Sequence, residues 1–410
     1  MGYWTVKEAA EEWGVSVRMV NYYLNNGRIP EAIRKTGGWL IPEHTPQPVD
    51  RRKAVNKGTN VMDAQAQETT EEVLSVQETA QETAERTVKT YMPLLAHPCP
   101  NGFAVLEEQL TDAEERTMAK SMWHYFRDEH QQSRALAESC LNSASLEIRL
   151  TALVLHAMTV IQGGDAELGQ LDIERIHQEA ADPSAKLYCQ VTEMLMSVFF
   201  HSEEIDLAPA QATISLLPQG LQYFAMYAMA HALYIQREYD RAMGVAEAAL
   251  AMAGNQYPVV SIYLRIVLCM ICVSLKQDER ANQLFEIAWQ SSQQEGYMHP
   301  FVEHHGLLQG MVERLLRKTS PAEYERFTSS VYDFSRGWMK IHNSVSNTRV
   351  TDALTPYEFS IAMLAAKGRS NKEIAQVMEV SVNTVKANLE NIFLKLNITS
   401  RSQIAAHVNR

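Results

Sequence analysis

Polar side chains with hydrogen-bonding groups recur at helical spacing in the stretch that begins at Asn383. Asn383, Lys386 and Glu390 are separated by three and four residues, so an α-helix places them on one face. Amide, ammonium and carboxylate groups are the side-chain groups that recognise base edges in the major groove of DNA. This spacing therefore predicts a surface that binds nucleic acid through hydrogen bonds.

Three short helices are predicted to position these side chains. Thr355 and Pro356 fit the first turn of one helix, and Gly368 fits the left-handed position after its end. A second helix starts at Asn371, and Ser381 is placed to cap the third. The third helix has four apolar residues at helical spacing, which are Val385, Leu389, Ile392 and Leu396. This order is typical of a helix-turn-helix, which reads bases with the N-terminal residues of its recognition helix.

The stretch from Val350 to Val408 resembles the LuxR-type helix-turn-helix domain. The resemblance rests on motif residues at matching spacing, which are Glu358, Asn371 to Ala375, Ser381, Thr384 to Lys386, Ile392, Lys395, Leu396 and Arg401. It implies that Lys386 contacts the major groove and that the final helix, from Arg401, pairs with its copy in a dimer. The residues that we expect to contact DNA on this domain are Lys372, Ser381, Asn383, Thr384, Lys386, Ala387, Glu390 and Arg401.

Two residues depart from the pattern of that family. Asn388 stands where the family often has His, and Glu390 stands where it often has a neutral or basic residue. Glu390 either accepts a hydrogen bond from a cytosine amino group or only repels phosphate. The alternative for the whole domain is a trio of helices that makes protein contacts.

Residues 1–50 form a second, smaller candidate for DNA binding. Thr5 and Glu8 have the spacing of a capping box, and Gly37-Gly38 separates two strand-like runs as in a hairpin. Four motifs here resemble the excisionase and MerR-like winged-helix families: Thr5–Ala10, Val15-Ser16, Gly27–Pro30 and Gly38–Pro42. The resemblance implies a second helix in the major groove and a wing on the backbone or minor groove. The contact candidates are Ser16, Arg18, Asn21, Tyr22, Arg34 and Lys35.

Asn21 stands where MerR-like proteins commonly have Arg, so its own contact is left open. The alternative for this domain is a winged helix that docks on a protein. Residues 51–92 have the composition of a polar, flexible linker in which Gln-Glu-Thr recurs three times. A thin apolar stripe leaves a coiled coil as the alternative for this segment, through Val73, Val76, Ala80 and Ala84.

Residues 93–346 are predicted to be almost wholly helical. Arg237–Ala242 and Lys276–Ala281 are similar and lie 39 residues apart, and His130–Ala135 is a fainter copy. The pattern resembles tetratricopeptide-type repeats, which implies an α-solenoid with a concave binding surface. One predicted helix carries three candidates for an effector groove at four-residue spacing, Tyr223, Tyr227 and His231. The alternatives are that this aromatic stripe is core, and that the repeats form a platform for dimerisation or polymerase contact.

The charge of the chain is divided unevenly between these segments. Residues 1–57 hold nine Lys/Arg against six Asp/Glu, and residues 351–410 hold seven against five. The net charge of −12 therefore leaves −17 on residues 58–350. Because phosphate attracts Lys and Arg, DNA binding is expected at the two ends and not in the middle.

The sequence gives only weak support for a metal-binding or catalytic site. Cys269 and Cys272 form a C-x-x-C, but they lie inside an apolar helical run and are predicted to be core. His299 and Glu303 have helical ligand spacing, but Pro300 disturbs it, so packing is the favoured role. We therefore expect no metal, no cofactor and no enzymatic activity. Five cysteines and no apolar run of membrane-spanning length favour a cytoplasmic protein with reduced thiols.

Together these patterns predict a mainly α protein. Its parts are a winged helix (1–50), a flexible linker (51–92), an α-solenoid (93–346) and a four-helix LuxR-type domain (347–410). The predicted function is a cytoplasmic, sequence-specific DNA-binding transcription regulator that acts as a homodimer. Its expected partners are double-stranded DNA, a small-molecule or peptide effector and RNA polymerase, with no membrane. The alternative is a helical-repeat interaction scaffold whose terminal modules dock proteins.

Overall fold

The computed structural model describes residues 2–25, 29, 32–35, 38–46, 91–179, 186–200, 207–345, 350 and 353–408. The chain divides into two compact units, Met1–Thr79 and Ala80–Arg410. Residues 51–90, which hold most of the predicted linker and its coiled-coil alternative, lie outside the described residues. No helix in the described ranges is both long and apolar enough to cross a bilayer.

The N-terminal unit is a three-stranded antiparallel sheet with two helices. Its elements in chain order are β1 (Tyr3–Thr5), α1 (Val6–Glu12), α2 (Val17–Asn25), β2 (Ile33–Lys35) and β3 (Gly38–Pro42). The central strand is β3, which pairs with β1 and β2. The predicted capping box is confirmed, since the Thr5 N–H donates to Glu8 Oε2 at 2.7 Å and the Glu8 N–H donates to the Thr5 hydroxyl. The predicted hairpin is confirmed by Arg34 pairing with Trp39.

The second unit begins with a helical domain. In chain order its helices are α3 (Pro93–Ala96), α4 (Phe103–Gln109), α5 (Ala113–Phe126), α6 (His130–Cys140), α7 (Leu146–Gln162), α8 (Ala166–Glu179), α9 (Lys186–Phe199), α10 (Ala208–Thr213), α11 (Gln219–Ile235), α12 (Tyr239–Ala253), α13 (Pro258–Ser274), α14 (Asp278–Gln293), α15 (His299–Glu303), α16 (His305–Leu308), α17 (Met311–Thr319) and α18 (Pro321–Val345). The prediction of a mainly α fold is confirmed.

Four of the helix pairs are joined by the same kind of turn. Asp128, Gly164, Arg237 and Lys276 each follow a helix, have φ angles between 59° and 88°, and precede the next helix by two residues. In each turn, two N–H groups donate back to carbonyl oxygens of the preceding helix. The similar sequences at Arg237 and Lys276 thus mark equivalent turns, and the likeness to tetratricopeptide repeats stays a prediction.

The second unit ends with four short helices in the same compact body. These are α19 (Pro356–Ala366), α20 (Asn371–Met378), α21 (Val382–Leu396) and α22 (Ala405–Val408), with a 3-10 turn at Arg401–Gln403. Thr355 caps α19 as predicted, because its hydroxyl accepts from the Glu358 N–H. Gly368 has a φ of 79° after the end of α19, which is also as predicted.

Candidate DNA-binding site

The candidate recognition helix is α21, and its start is fixed by Ser381. The Ser381 Oγ accepts a hydrogen bond from the Thr384 N–H at 3.0 Å, as predicted for an N-cap. The turn before it depends on Glu379, which adopts a left-handed conformation while the Val380 N–H donates to the Ala375 carbonyl. The start of α21 is thereby held against the end of α20.

The two faces of α21 differ in burial. The four apolar residues predicted to face inward are all buried, and they are Val385, Leu389, Ile392 and Leu396. The predicted contact residues on the other face are all exposed, and they are Ser381, Asn383, Thr384, Lys386, Ala387 and Glu390. Lys372 is exposed at the start of α20. One face of the helix thus anchors it in the domain, and the other presents amide, hydroxyl, ammonium and carboxylate groups to solvent.

Glu358 connects the first helix of the domain to α21. Its carboxylate accepts from the Thr355 N–H at 2.8 Å and from Lys395 Nζ at 2.6 Å. Burial by itself raises the pKa of Glu358, but the hydrogen bonds from Lys395 and Thr355 outweigh it and hold the pKa below its ordinary value. The carboxylate therefore stays ionised and anchors the C-terminal end of α21.

Arg401 has an internal role that its sequence position did not predict. Its guanidinium donates to Asn371 Oδ1 at 2.8 Å and to the backbone carbonyls of Arg369 and Ala365. Burial lowers the pKa of Arg401. The side chain therefore links the last turn of the domain to the start of α20, and fewer of its donors remain for phosphate.

Comparisons with known proteins agree with this geometry. Residues 352–408 match the family model of the luxR family of bacterial regulatory proteins. These residues form a LuxR-type helix-turn-helix domain. The chain is 34% identical over 71 residues to the transcriptional regulatory protein LiaR of Bacillus subtilis, which is 17% of this chain and 34% of LiaR.

Two further relatives are regulators by name. The response regulator protein VraR of Staphylococcus aureus is 36% identical over 88 residues, which is 22% of this chain and 39% of VraR. The HTH-type transcriptional regulator MalT of Vibrio campbellii is 25% identical over 155 residues, which is 34% of this chain and 17% of MalT. The chain thus spans less than half the length of each relative. No solved structure matches the chain significantly.

The LuxR-type domain is docked on the helical domain by charged side chains. The Arg369 guanidinium forms two hydrogen bonds with the Asp278 carboxylate, at 2.8 and 2.6 Å, and donates to the Val273 carbonyl. Lys367 Nζ donates to the Tyr234 hydroxyl at 2.7 Å and to Ser274 Oγ at 2.8 Å. Both cations lie between α19 and α20, so this docking uses a different part of the domain from the exposed face of α21.

A buried polar contact reinforces the docking. Glu313 Oε1 accepts from Ser360 Oγ of α19 at 3.0 Å and lies 2.5 Å from His305 Nε2. Burial raises the pKa of Glu313, but His305 and the hydrogen bonds outweigh it and lower the pKa. The ionised carboxylate of Glu313 accepts the hydrogen bond from Ser360 and keeps α17 bound to the LuxR-type domain.

The structure describes the side chains of only some of the predicted DNA-contact residues in the N-terminal unit. Ser16 Oγ accepts from the Met19 N–H at the start of α2, and Ser16 and Arg18 are exposed. Asn21 lies half-buried on the same helix. Tyr22 belongs to α2, and Arg34 and Lys35 belong to β2, but their side chains lie outside the described residues.

The effector candidates share one helix but not one environment. Tyr227 and His231 line a cavity of about 100 Å³, whereas Tyr223 packs against Tyr257 with ring centroids 5.6 Å apart. The other lining groups are mostly apolar, including Met92, Leu95, Met122, Phe126, Val154, Leu155, Met158, Leu195, Met196, Val198, Phe199 and Phe224. Tyr227 OH lies 2.8 Å from His304 Nε2, and burial raises the pKa of Tyr227. The cavity therefore has an apolar wall and a polar end, which is formed by Tyr125, Tyr227, His231, Tyr263, Glu303 and His304.

Sequence reasoning missed one cluster of polar side chains. Asp128 and His130 lie beside His299, although 171 residues separate Asp128 from His299. His299 and Glu303 do face each other, with 3.5 Å between Nε2 and Oε1. The sequence did contain a signal for this cluster. Asp128 and His130 form an Asp-x-His motif, and the three equivalent turns have Gly, Arg or Lys at the position of Asp128. Cys269 and Cys272 are buried, as predicted for a helix core.

Proposed function

We propose that this protein is a DNA-binding transcription regulator that reads its sites with α21. The observation that carries the proposal is the contrast within the LuxR-type domain. Arg369 and Lys367 are bound to the helical domain, while Asn383, Lys386 and Glu390 are exposed. A recognition helix enters the major groove with its N-terminal residues, so the docked domain presents the residues that recognition requires.

The names of the relatives support the same proposal. LiaR, VraR and MalT are transcriptional or response regulators by name, and residues 352–408, which carry α21, match the luxR family model. We infer that double-stranded DNA is the partner and that the protein binds as a homodimer through the helix after Arg401. A contact with RNA polymerase belongs to the same proposal. The exposed Ser16 and Arg18 support a second, weaker DNA contact from the N-terminal unit.

We propose further that the helical domain senses a small molecule in the cavity beside Tyr227 and His231. An engineered apolar cavity of about 150 Å³ binds benzene. The cavity beside Tyr227 is smaller, about 100 Å³, so it accommodates only a compact group. The His304 Nδ1 lies 2.7 Å from the Pro300 carbonyl, and burial lowers the pKa of His304. Neutral His304 thus donates to Pro300 and accepts from Tyr227. The Tyr227 oxygen can then act as an acceptor, and His231 Nδ1 lies 3.3 Å from it. The effector we expect is an apolar compound with one hydrogen-bond donor.

The rival function is an interaction scaffold whose terminal modules bind proteins. The two functions differ in their response to salt, because DNA binding releases counterions and weakens steeply as salt rises. The test is to recover genomic fragments bound to the full chain and to measure their affinity across a salt series. Lys120→Ala, which removes an exposed Lys of the helical domain, is the control for net charge. Fragments that bind wild type and Lys120→Ala equally, but bind Lys386→Ala weakly, support the regulator. No salt-dependent binding to any fragment favours the scaffold.

A further inference from the structure

Three candidate metal ligands meet inside the helical domain. Asp128 lies in the turn between α5 and α6, His130 begins α6, and His299 begins α15. Asp128 Oδ1 lies 2.7 Å from His130 Nε2 and 3.0 Å from His299 Nδ1, and the three ligand atoms lie within 4.8 Å of one another. Two imidazole nitrogens and one carboxylate oxygen are a donor set that zinc and related ions bind in proteins.

The position of Asp128 distinguishes this turn from its equivalents. Gly164, Arg237 and Lys276 occupy the same left-handed position in the other three turns, and all three are exposed. The Asp128 side chain is only 3% exposed. An ionised carboxylate is costly to bury unless it is paired and hydrogen-bonded. The turn geometry alone does not call for a buried acid, so the acid at this position indicates a role beyond the turn.

The charge around Asp128 is not balanced by Lys or Arg. Glu303 lies beside the same His299 and accepts hydrogen bonds from Tyr125 and, at 2.6 Å, from Tyr263. Within the residues that the structure describes, neither Asp128 nor Glu303 forms an ion pair with Lys or Arg. Two buried carboxylates therefore face two imidazoles, and a divalent cation would neutralise them.

The two ring nitrogens of His299 face two different carboxylates, Asp128 and Glu303. His299 Nε2 is buried without a hydrogen-bond partner in the described structure and lies 3.5 Å from Glu303 Oε1. A metal ion on Nδ1 forces the proton onto Nε2, which then donates to Glu303. A carboxylate that orients a metal-binding imidazole in this way is a common arrangement in metal sites.

Gln162 is placed to complete the coordination. Its Nε2 lies 3.5 Å from Asp128 Oδ1, and its Oε1 is buried without a hydrogen-bond partner in the described structure. A flip of the amide, which exchanges its nitrogen and oxygen, would bring this oxygen to the ion as a fourth ligand. Four ligands from side chains, all with little solvent access, are typical of a closed structural zinc site.

We propose that Asp128, His130 and His299 bind a zinc ion, with the Gln162 carbonyl oxygen as the fourth ligand. The ion joins the α5–α6 turn to the start of α15. Ser330 of α18 also donates to Asp128, so the site connects the first helices of the domain to the long helix that precedes the LuxR-type domain. The site adjoins the effector cavity, because Glu303 faces His299 and also lines that cavity.

The test uses the untagged full chain, stripped with a chelator and then titrated with zinc sulfate or cobalt chloride. We expect one metal ion per chain, a higher melting temperature, and a cobalt spectrum of a four-coordinate site. His130→Gln and His299→Gln should each abolish this binding. Glu303→Gln should weaken it by about 10- to 100-fold, as for other residues that orient ligands. Binding that is equal in wild type and His299→Gln overturns the proposal.

A matched control is present in the same domain. His156 Nδ1 lies 2.6 Å from Asp172 Oδ2, and both side chains are buried, but no second His completes that pair among the described residues. His156→Gln should therefore leave zinc binding unchanged. If the His130 and His299 variants do not fold, X-ray absorption of the wild-type zinc complex decides. Nitrogen and oxygen scatterers alone support the site, and sulfur scatterers would reassign the metal to cysteine and overturn it.

Discussion

We expect the Asp278→Ala variant to weaken the docking of the LuxR-type domain on the helical domain without unfolding either one. Asp278 receives two hydrogen bonds from Arg369, whose side chain is only 5% exposed. Removing the carboxylate leaves the guanidinium with the Val273 carbonyl as its remaining described acceptor on the helical domain. A buried charge that loses its partner is strongly destabilising, because its desolvation is no longer compensated.

The magnitude follows from the unequal burial of the two partners. Breaking a fully buried ion pair costs about 3–5 kcal/mol. The Asp278 side chain is 43% exposed, so water reaches this side of the contact and reduces the loss. Hydrogen bonds to charged groups contribute about 1.5–3 kcal/mol, and we therefore expect a loss of roughly 1–3 kcal/mol in the docking free energy. That corresponds to a change of about 5- to 150-fold in the docking equilibrium.

Amide hydrogen exchange across α19 and α20 measures this change. Exchange in α19 and α20 of Asp278→Ala should accelerate by about 5- to 150-fold. The central helices of the helical domain should keep their wild-type exchange rates. Glu238→Ala is the control, since it removes an exposed partner of Arg241 and should cost less than about 1 kcal/mol. Wild-type exchange in α19 and α20 of Asp278→Ala would refute the view that this contact holds the domain in place.

Other predictions concern DNA, acid stability and the cavity. Lys386→Ala should lose about 1–3 kcal/mol of specific binding if it reads a base, or lower the salt slope by about one unit if it contacts phosphate; unchanged operator affinity would contradict both. The pKa of Glu358 is lowered in the folded state, so its ionised carboxylate stabilises the fold at pH values above the ordinary Glu pKa of about 4.3. This stability is lost as the pH falls through the lower pKa of the folded state. Glu358→Gln should therefore flatten the loss of stability on acidification, measured by urea unfolding between neutral and acid pH. Tyr227→Phe should weaken an effector found by thermal shift by about 0.5–1.5 kcal/mol, and equal affinity would place the effector elsewhere. Replacing both Arg34 and Lys35 by Ala should weaken DNA binding at low salt, as tested by titration.

The elements of the recognition surface could be predicted because their causes are local. The Ser381 hydroxyl reaches an N–H three residues away, and Gly368 adopts the backbone angle that its missing Cβ permits. The spacing of Val385 and Leu389 decides which face of α21 is buried, whatever the remainder of the chain does. Helix, cap and exposed face thus follow from interactions between residues close in sequence.

The roles of several side chains could not be predicted in the same way. Arg401 has the side-chain type of a DNA contact, yet its guanidinium binds Asn371 and backbone carbonyls inside its own domain. Tyr223 shares a helix with Tyr227 but packs on Tyr257 away from the cavity lining. Such outcomes depend on which neighbours the folded chain places within a few ångströms, and side-chain type does not encode this.

The sequence by itself determined the mainly helical fold, the caps of the C-terminal helices and the composition of the α21 face. Only the tertiary structure decided that Arg369 meets Asp278 and that Asp128 meets His299 across 171 residues. Local patterns are set by backbone hydrogen bonds and by the burial of one helix face, which operate over about four residues. Contacts between distant charged groups depend instead on the packing of all the intervening helices, because each small change in that packing alters which partners come within reach.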